Sequence, residues 1–378
     1  MKRLIQHLFM WAVMAAGTGV VASCDMMEQD LTDCPNGLYV SFKYDYNLQR
    51  ADMFNDHVGS VTLYIFDEDG NLVKTQEESN VGASMPLSSP GYAMHVTGLA
   101  PGRYQFIALA GQRPYGDMMQ TGRAKFVRSD ISAGAPMQGI EINLDKGGVV
   151  AGPDGANYYS VDNNSLPLDT LWHGMLTEPV EVYPVNSNRA AYATVPLVRD
   201  TKHINVALRE VDDPTTMDIA DYDMYITDHN SRILWDNSLD ETDPVIYTPY
   251  ATWNTDDRGN ALDPNGDVLE GVGRIGHADF MTSRIMFHDD AEKDGHLYIV
   301  NNKTGRKVVD FNLPDVLSRL RTSDELHAYS EQEFLDRGYD SVHQHQHKRA
   351  GMDQAHTVQR AVRKAGKEKV KGEERHTP

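Results

Sequence analysis

The feature that most limits the fold of this chain is a series of short segments in which apolar and polar residues alternate. Residues 37–44 and 58–67 follow this pattern, and Val61, Leu63 and Ile65 would share one face. A period of two is typical of a strand with one buried face. Similar segments, separated by Gly and Pro, follow at residues 92–96, 103–110, 124–127 and 139–144. Short strands at this spacing predict a β-sandwich or barrel.

The second half of the chain repeats this pattern after a polar interval. Residues 147–169 are rich in Gly, Asn, Asp, Ser and Pro, which is typical of a linker. Strands are then predicted at residues 180–184, 192–198, 204–211, 222–227, 245–248, 282–287, 297–300 and 307–311. One short helix is predicted where apolar residues recur at helical spacing, at Leu313, Val316, Leu317 and Leu320. We therefore predict two tandem sandwiches, at residues 34–146 and 170–342, the first able to fold alone.

The N-terminus has the three parts of a secretory signal. A basic start precedes a largely apolar run at residues 4–21, which ends at Val21-Ala22-Ser23-Cys24. These four residues match the lipobox of bacterial lipoproteins, so we predict cleavage between Ser23 and Cys24, loss of residues 1–23 and acylation of Cys24. Acyl chains hold a protein durably, because each buried methylene contributes roughly 0.8 kcal/mol. The alternatives are a signal cleaved elsewhere and an uncleaved anchor, although polar residues interrupt the run.

Charge is distributed unevenly along the chain. The 35 Lys and Arg stand against 55 Asp and Glu, and the net charge of −20 argues against nucleic acid as a partner. Residues 24–33 form an acidic tether, whereas residues 343–378 carry nine basic and four acidic residues, a net charge of +5. That tail has too few apolar residues to offset the entropy of ordering, so we predict that it is disordered. Its alternating His343, His345 and His347 could bind a metal, but adventitious binding is the better interpretation.

No catalytic pattern stands out in the sequence. Gly271-Val-Gly-Arg-Ile-Gly276 satisfies the dinucleotide pattern, but no strand precedes it, so NAD binding is rejected. Residues 67–71 are interpreted as a hairpin turn rather than a calcium loop, and His288-Asp289-Asp290 as a polar turn. Asp169-Thr170-Leu171 is similar to a short O-glycosylation sequence of Bacteroidetes. Cys34 lacks a disulfide partner if Cys24 is acylated and is interpreted as a packed small residue. We predict no enzymatic activity, no cofactor and no specific metal site.

A set of short runs in a fixed order covers about residues 24–339. They begin with Asp33-Cys34-Pro35-Asn36-Gly37-Leu38 and continue with residues 42–47, 61–70, 171–174, 197–204, 246–249, 282–285 and 332–337. Each run alone is weak. In this order they resemble the FimB-type fimbrillin anchor lipoproteins of Bacteroidetes.

The resemblance implies two transthyretin-like Greek-key β-sandwich domains in a structural lipoprotein that anchors or caps a cell-surface fimbria. Subunits of such systems exchange a β-strand, which fills an open sheet edge of a neighbour. The implied partners are fimbrial stalk or accessory subunits, and the implied location is the outer membrane. The acidic tether also resembles export signals of Bacteroidetes surface lipoproteins, which favours the outer face of that membrane.

Stalk members of the family lose an N-terminal segment to an arginine-specific protease. Here the first basic residues after Cys24 are Lys43 and Arg50. Because cleavage at Arg50 would remove the first strand together with the lipid, an unprocessed anchor is the simpler interpretation. After Arg337 the chain departs from the family, since no aromatic residue follows Tyr339, and the second sandwich would lack closing strands.

The alternative function is a surface glycan-binding lipoprotein. Exposed aromatic residues can stack on sugar rings, so the tryptophans distinguish the two functions. For glycan binding, Trp172, Trp235 and Trp253 would form an exposed coplanar platform, whereas in an anchor they would lie in the core.

Overall fold

A computed structural model describes residues 36–210, 212–260, 262 and 272–338 of the chain. Within these ranges the chain folds mainly as β-strands in four sheets, with short helices between them. The predicted all-β class is confirmed. None of the helices in this part of the chain is long and apolar enough to cross a membrane.

The first sheet has seven strands and folds over on itself. They are β1 (Gly37–Lys43), β2 (Ser60–Phe66), β3 (Leu72–Ser79), β4 (Met94–Val96), β5 (Gly102–Gly111), β10 (Leu171–Val182) and β11 (Ala190–Arg199). Their order is β3-β2-β5-β10-β11-β1-β4. Residues 190–196 of β11 pair with β1, whereas residues 197–199 pair with β10. The sheet therefore turns at β11 and forms two layers, β4-β1-β11 and β3-β2-β5-β10.

These two layers enclose what we call the first core. Leu38, Val40 and Phe42 of β1 lie in one buried cluster with alternate residues of β2, namely Val61, Leu63 and Ile65. Trp172 of β10 is fully buried in the same cluster. The period-two alternation thus places one face of each strand in this core.

The strands β2 and β5 are buried on both faces. All seven residues of β2 are buried, and its Tyr64 and Phe66 belong with Ile107 and Leu109 of β5 to a second core. A four-stranded sheet, β15-β14-β7-β6, contributes to that core. Its strands are β6 (Phe126–Arg128), β7 (Glu141–Leu144), β14 (Arg232–Leu234) and β15 (Leu239–Asp240). Burial on both faces explains why β2 is nearly continuously apolar.

Two further sheets complete the second core. The six-stranded sheet β20-β19-β13-β16-β9-β8 contains β8 (Val149–Ala151), β9 (Asn157–Val161), β13 (Tyr222–Asp228), β16 (Val245–Tyr247), β19 (His296–Asn301) and β20 (Arg306–Asn312). The three-stranded sheet β12-β18-β17 contains β12 (Lys202–Leu208), β17 (Ala251–Asp256) and β18 (Arg274–Thr282). Residues such as Ile226, Val245 and Phe280 bury their side chains between these sheets.

The predicted linker is part of the fold, which corrects the sequence interpretation. Residues 147–169 contain β8 and β9, and β9 pairs in parallel with β16. Strand pairing also crosses the predicted boundary in both directions, since β10 pairs with β5 and β7 pairs with β14. Tyr158 and Val161 are the buried residues of β9. Two apolar residues three positions apart are too short a pattern to indicate a strand.

The turns and helices agree with the sequence in part. Gly70 has φ of 81°, as a hairpin turn at residues 67–71 requires. The helices are α1 (Phe54–His57), α2 (Tyr115–Met119), α3 (Leu313–Ser318), α4 (Asp324–His327) and α5 (Glu331–Arg337). The predicted late helix is α3, with Pro314 in its first turn. The helix α5 was not predicted from the sequence, although Ser330 and Glu333 have the spacing of a capping box and the Ser330 side chain accepts from the Glu333 N–H.

Candidate functional site

The first strand lies in the interior of its layer, between β11 and β4. It pairs in parallel with β11 over seven residues, from Gly37 opposite Ala190 to Lys43 opposite Pro196. On its other side it pairs antiparallel with β4. The described chain therefore enters the fold through a strand that is held on both sides.

The outer half of β11 has one unpaired edge. Residues 190–196 pair with β1 alone among the described strands, because β10 separates from β11 beyond Gly174 and Leu197. Pro196 has no N–H, and a proline in a strand normally directs its nitrogen toward an open edge. Since residues two apart point the same way, the N–H and C=O groups of Tyr192 and Thr194 face that edge too. This stretch has the geometry of an acceptor for an added strand.

A row of aromatic rings stands on the outward face beside this edge. Tyr192 is 68% exposed and stacks on Tyr39, with ring centroids 5.6 Å apart. Tyr39 in turn stacks on His95, with centroids 4.4 Å apart. The three residues are directly opposite one another across β11, β1 and β4. Tyrosine is enriched in the residues that dominate protein interfaces, so the row would suit partner contact.

The inward face of the same edge carries small side chains. Ala191, Ala193 and Val195 point into the first core, and Leu176 and Val180 of β10 are only half-buried beside that core. A strand added along β11 could place alternate side chains against these residues between the two layers. The edge therefore offers both backbone groups and apolar surface.

A buried polar cluster joins the corner between β11 and β12 to α5. The Arg284 guanidinium makes two hydrogen bonds to the Asp336 carboxylate, both at 2.9 Å, and Lys202 Nζ donates to the Asp336 carbonyl at 2.8 Å. Burial raises the pKa of Asp200 to about 7 and lowers the pKa of Lys202 to about 8. These residues come from three of the runs that carry the family resemblance. The runs thus meet in one place and fix the two cores against each other.

A second contact, here called the clasp, ties the loop after β1 to the last helices. It consists of Tyr46, Arg50, Tyr329 and Arg337. Arg50 Nε donates to the Tyr329 hydroxyl at 2.5 Å, and the Arg337 guanidinium lies 3.9 Å from the centroid of the Tyr46 ring and 4.9 Å from that of Tyr329. Alternation of guanidinium groups and aromatic rings favours cation–π attraction. The loop that contains Arg50 is thereby attached to a segment far along the chain.

The tryptophans do not form the platform that glycan binding was expected to need. Trp172 is fully buried, Trp235 is half-buried against the second core, and Trp253 is 37% exposed and stacks on His277. The candidate glycosylation residue Thr170 is buried, and its hydroxyl accepts from Arg199 at 3.2 Å. Neither a coplanar tryptophan platform nor the candidate glycosylation residue is therefore presented on the surface.

Other predicted positions are distributed as follows. Gly276 lies inside β18, so a strand and not a helix follows the glycine-rich run. The positions that fall outside the described residues are Ser23, Cys24, Cys34, Gly271, His343, His345 and His347. Among the described residues, no group of three or more His, Cys, Asp and Glu side chains is arranged to hold a metal ion.

The predicted polar turn at residues 288–290 contains a buried histidine that the sequence did not single out. The His288 ring nitrogens lie 3.0 Å from Asp228 Oδ1 and 2.7 Å from Glu241 Oε1. Burial opposes a charge on this ring, but the two carboxylates outweigh it and raise its pKa to about 9. The histidine thus connects the end of β13 to Glu241, which directly follows β15.

A cleft of about 640 Å³ lies away from β11, where the chain leaves β9 and β16. Its lining includes Lys125, Asp145, Asp162 and Asn164, with no aromatic side chain. Ligand pockets are usually lined mostly by apolar and aromatic residues. The edge of β11 is therefore the better candidate for a functional site.

Solved structures of Bacteroides and Porphyromonas proteins have a similar fold. A candidate adhesin from Bacteroides thetaiotaomicron has a TM-score of 0.61 and 26% identity, with 82% of this chain and 90% of that chain covered. A candidate polysaccharide-binding protein from the same organism has a TM-score of 0.59 and 27% identity, covering 80% and 88%. The fimbrial anchor protein Mfa2 from Porphyromonas gingivalis shares the fold, with a TM-score of 0.52, 17% identity and coverage of 78% and 88%.

Sequence comparison agrees with this placement. No curated protein matches the chain at a significant level. The family model of the fimbrillin-A associated anchor proteins Mfa1 and Mfa2 matches residues 31–342, which is most of the sequence. A protein of this family is associated with the cell envelope and with fimbriae. The chain therefore belongs to the family of fimbrillin-A associated anchor proteins.

Proposed function

We propose that this protein is a structural lipoprotein that anchors or caps a cell-surface fimbria, held to the outer membrane by acyl chains on Cys24. Membership of the anchor family supports the fimbrial role. The basic start, apolar run and lipobox that end at Cys24 support the lipid anchor.

The attachment to the fimbria is by β-strand exchange at the open edge of β11. The observation that carries this step is the free side of residues 190–196, with the exposed Tyr192 beside it. Unpaired N–H and C=O groups on an edge gain partners when a strand is added, and alternate side chains give specificity. The partners are fimbrial stalk or accessory subunits.

The edge is tested by a substitution that removes one outward N–H. In Thr194→Pro the proline blocks a hydrogen bond to an added strand, while Thr194→Val keeps the N–H and serves as the matched control. Fimbrial subunits should co-purify with the wild type and with Thr194→Val from membrane extracts, and not with Thr194→Pro. Equal recovery with all three proteins would mean that another surface binds the subunits.

The lipid anchor is tested separately with Cys24→Ala. Without the acyl chains the folded protein should leave the membrane fraction, because no other feature of the proposal holds it there. If the variant still sedimented with membranes after a high-salt wash, the anchor would not be the lipid.

Glycan capture remains the alternative function. Its support is limited to Trp253, which is exposed on the edge strand β17, and to the fold shared with a candidate polysaccharide-binding protein. Binding on a glycan array that disappears in Trp253→Ala, together with unchanged fimbriae in a strain without the protein, would favour this alternative over the anchor.

A further inference from the structure

Among the described residues, a pull from the N-terminal side enters the fold through β1. The described chain begins at Asn36, immediately before Gly37, and β1 lies between two partner strands. Its neighbour β11 is the strand whose other edge is open. The shortest path of a pull from the N-terminus to a partner on β11 therefore crosses the interface between β1 and β11.

The direction of this pairing decides how the interface resists a pull. In a parallel ladder the hydrogen bonds are evenly spaced along both strands. If β1 is pulled at its start while β11 is held further along, all intervening residue pairs carry the force together. If β11 is held opposite the start of β1, the pairs separate one at a time. The first direction needs a larger force, because several hydrogen bonds must fail in one step.

We propose that the β1–β11 pair is the force-bearing connection between the membrane-attached N-terminus and the fimbrial subunit bound at β11. This proposal rests on the proposed function, which supplies both attachment points. The parallel pairing of seven residues loads the connection in shear when the bound subunit pulls toward the end of β11. The protein is thus a mechanical coupling as well as a binding partner.

The side chains of β1 add to this resistance. Leu38, Val40 and Phe42 are buried in the first core, so sliding β1 by one residue would turn them toward solvent. Slippage therefore costs hydrophobic burial in addition to hydrogen bonds. The resistance of β1 to sliding therefore depends on the packing of the first core.

The loop after β1 provides a second hold. Asn47 is fully buried and donates to the carbonyl groups of Tyr44 and Ala51, at 3.0 and 2.8 Å. The clasp attaches the same loop to Tyr329 through Arg50, and to α5 through the contact of Arg337 with Tyr46. A chain drawn out by its N-terminus would have to break these contacts before more residues could follow β1.

The test compares two pulling directions in the same protein. The mature chain, expressed without the signal peptide, is attached through the thiol of Cys24, with Cys34 replaced by Ser. The second handle is Ala190→Cys, which lies opposite Gly37, or Thr194→Cys, which lies opposite Ser41. The first handle peels the pair, whereas the second lies about 13 Å along the strand and shears five residue pairs.

In single-molecule pulling at one loading rate, we expect a rupture force at least about two-fold higher for the Thr194→Cys handle than for the Ala190→Cys handle. Equal forces, or a stronger Ala190→Cys direction, would overturn the proposal. If Ala190→Cys melts at a lower temperature than wild type, Val185→Cys, whose side chain is 73% exposed, gives the same peeling direction.

This measurement uses purified protein without lipid or fimbrial subunit. Its outcome is therefore independent of the membrane and co-purification tests of the proposed function. A high shear force with no subunit binding would show that the β1–β11 pair resists a pull, but would reject the role at β11 and with it the connection to a subunit. Subunit binding with no difference between the two pulling directions would support the role at β11 and reject the mechanical inference.

Discussion

The strands β2 and β11 show two opposite uses of a β-strand in one sheet. All seven residues of β2 are buried and it pairs on both edges. In contrast, β11 alternates buried and exposed residues, and its residues 190–196 pair with β1 alone among the described strands. A strand closed on all sides contributes to stability and offers nothing to a partner. An open strand contributes less to stability and keeps groups available for binding. Changes in β2 should therefore lower the stability of the fold, whereas changes at the edge of β11 should lower the binding of a partner.

The largest loss of stability is expected when β10 and β11 are removed altogether. A fragment of residues 36–146 retains β1, β2 and β5 but lacks the two strands that connect β1 to the rest of its sheet. We expect it to show no cooperative thermal unfolding, because the residues of the first core that pack against β10 and β11 would be exposed. Circular dichroism melting of the fragment and of residues 36–338 checks this. A cooperative melt of the short fragment would instead support the sequential domain boundary predicted from the sequence.

A large effect is expected from a truncation within β2. Phe66 is fully buried in the second core, so Phe66→Ala should lower the free energy of unfolding by about 3–5 kcal/mol. Urea denaturation measures the change. A loss below about 1 kcal/mol would mean that this face of β2 repacks easily and that the contrast with β11 is weak.

An intermediate effect is expected from the buried His288. Its pKa of about 9 lies above the ordinary value of 6.5, so the folded state holds the proton more tightly. The stabilisation is fully present below pH 6.5 and is lost as the pH rises through 9, on the order of 2 kcal/mol. Denaturation of wild type and His288→Gln at several pH values should show this loss in the wild type alone. A flat wild-type profile would contradict the assignment.

The smallest effect on stability is expected at the open edge. Tyr192 is mostly exposed and contributes a cross-strand stack with Tyr39, so Tyr192→Ala should lower the free energy of unfolding by less than about 1 kcal/mol. The same variant should lose recovery of fimbrial subunits from membrane extracts. A variant that is strongly destabilised, or that binds subunits normally, would remove the distinction between the two strands.

Local features of the fold followed from the sequence, and non-local ones did not. The alternation in residues 37–44 and 58–67 predicted β1 and β2, and Gly70 predicted the turn, since each depends on neighbouring residues alone. Alternation does not specify which strands pair. The insertion of β10 and β11 between β5 and β1 was therefore not predictable from periodicity, and the division into sequential domains differed from the observed pairing.

The predicted strand at residues 282–287 shows a second limit. The segment alternates as a strand would, but β18 ends at Thr282. Ile285 is buried and Phe287 packs against the second core, while the Phe287 N–H is bonded to the side chain of Gln332 at 2.9 Å. The apolar pattern of this segment therefore reflects the burial of its side chains. Its backbone is bonded to a side chain of α5 and not to a neighbouring strand at this position. Periodicity cannot separate these cases because both place alternate residues in the core.

The candidate site was also only partly foreseen. The lipobox at Cys24 and the family resemblance pointed to an anchored fimbrial protein, but Tyr39, Tyr192 and His95 were not selected. Tyrosines at the polar positions of two alternating segments were an available signal. Their register across three strands depends on the pairing of β1 with β11 and β4, which only the folded structure supplies.

The pairing of β1 with β11 also determines how early the first sheet can form during biosynthesis. Gly37 meets Ala190, a residue 153 positions later, so the first strand has no principal partner until that part of the chain has been made. At about 5–20 residues per second, this interval lasts roughly 8–30 s. During that time the first strand can pair only with the three residues of β4 among its described partners. In a chain exported as proposed, late closure of the first sheet would leave time for passage through a secretion channel before folding.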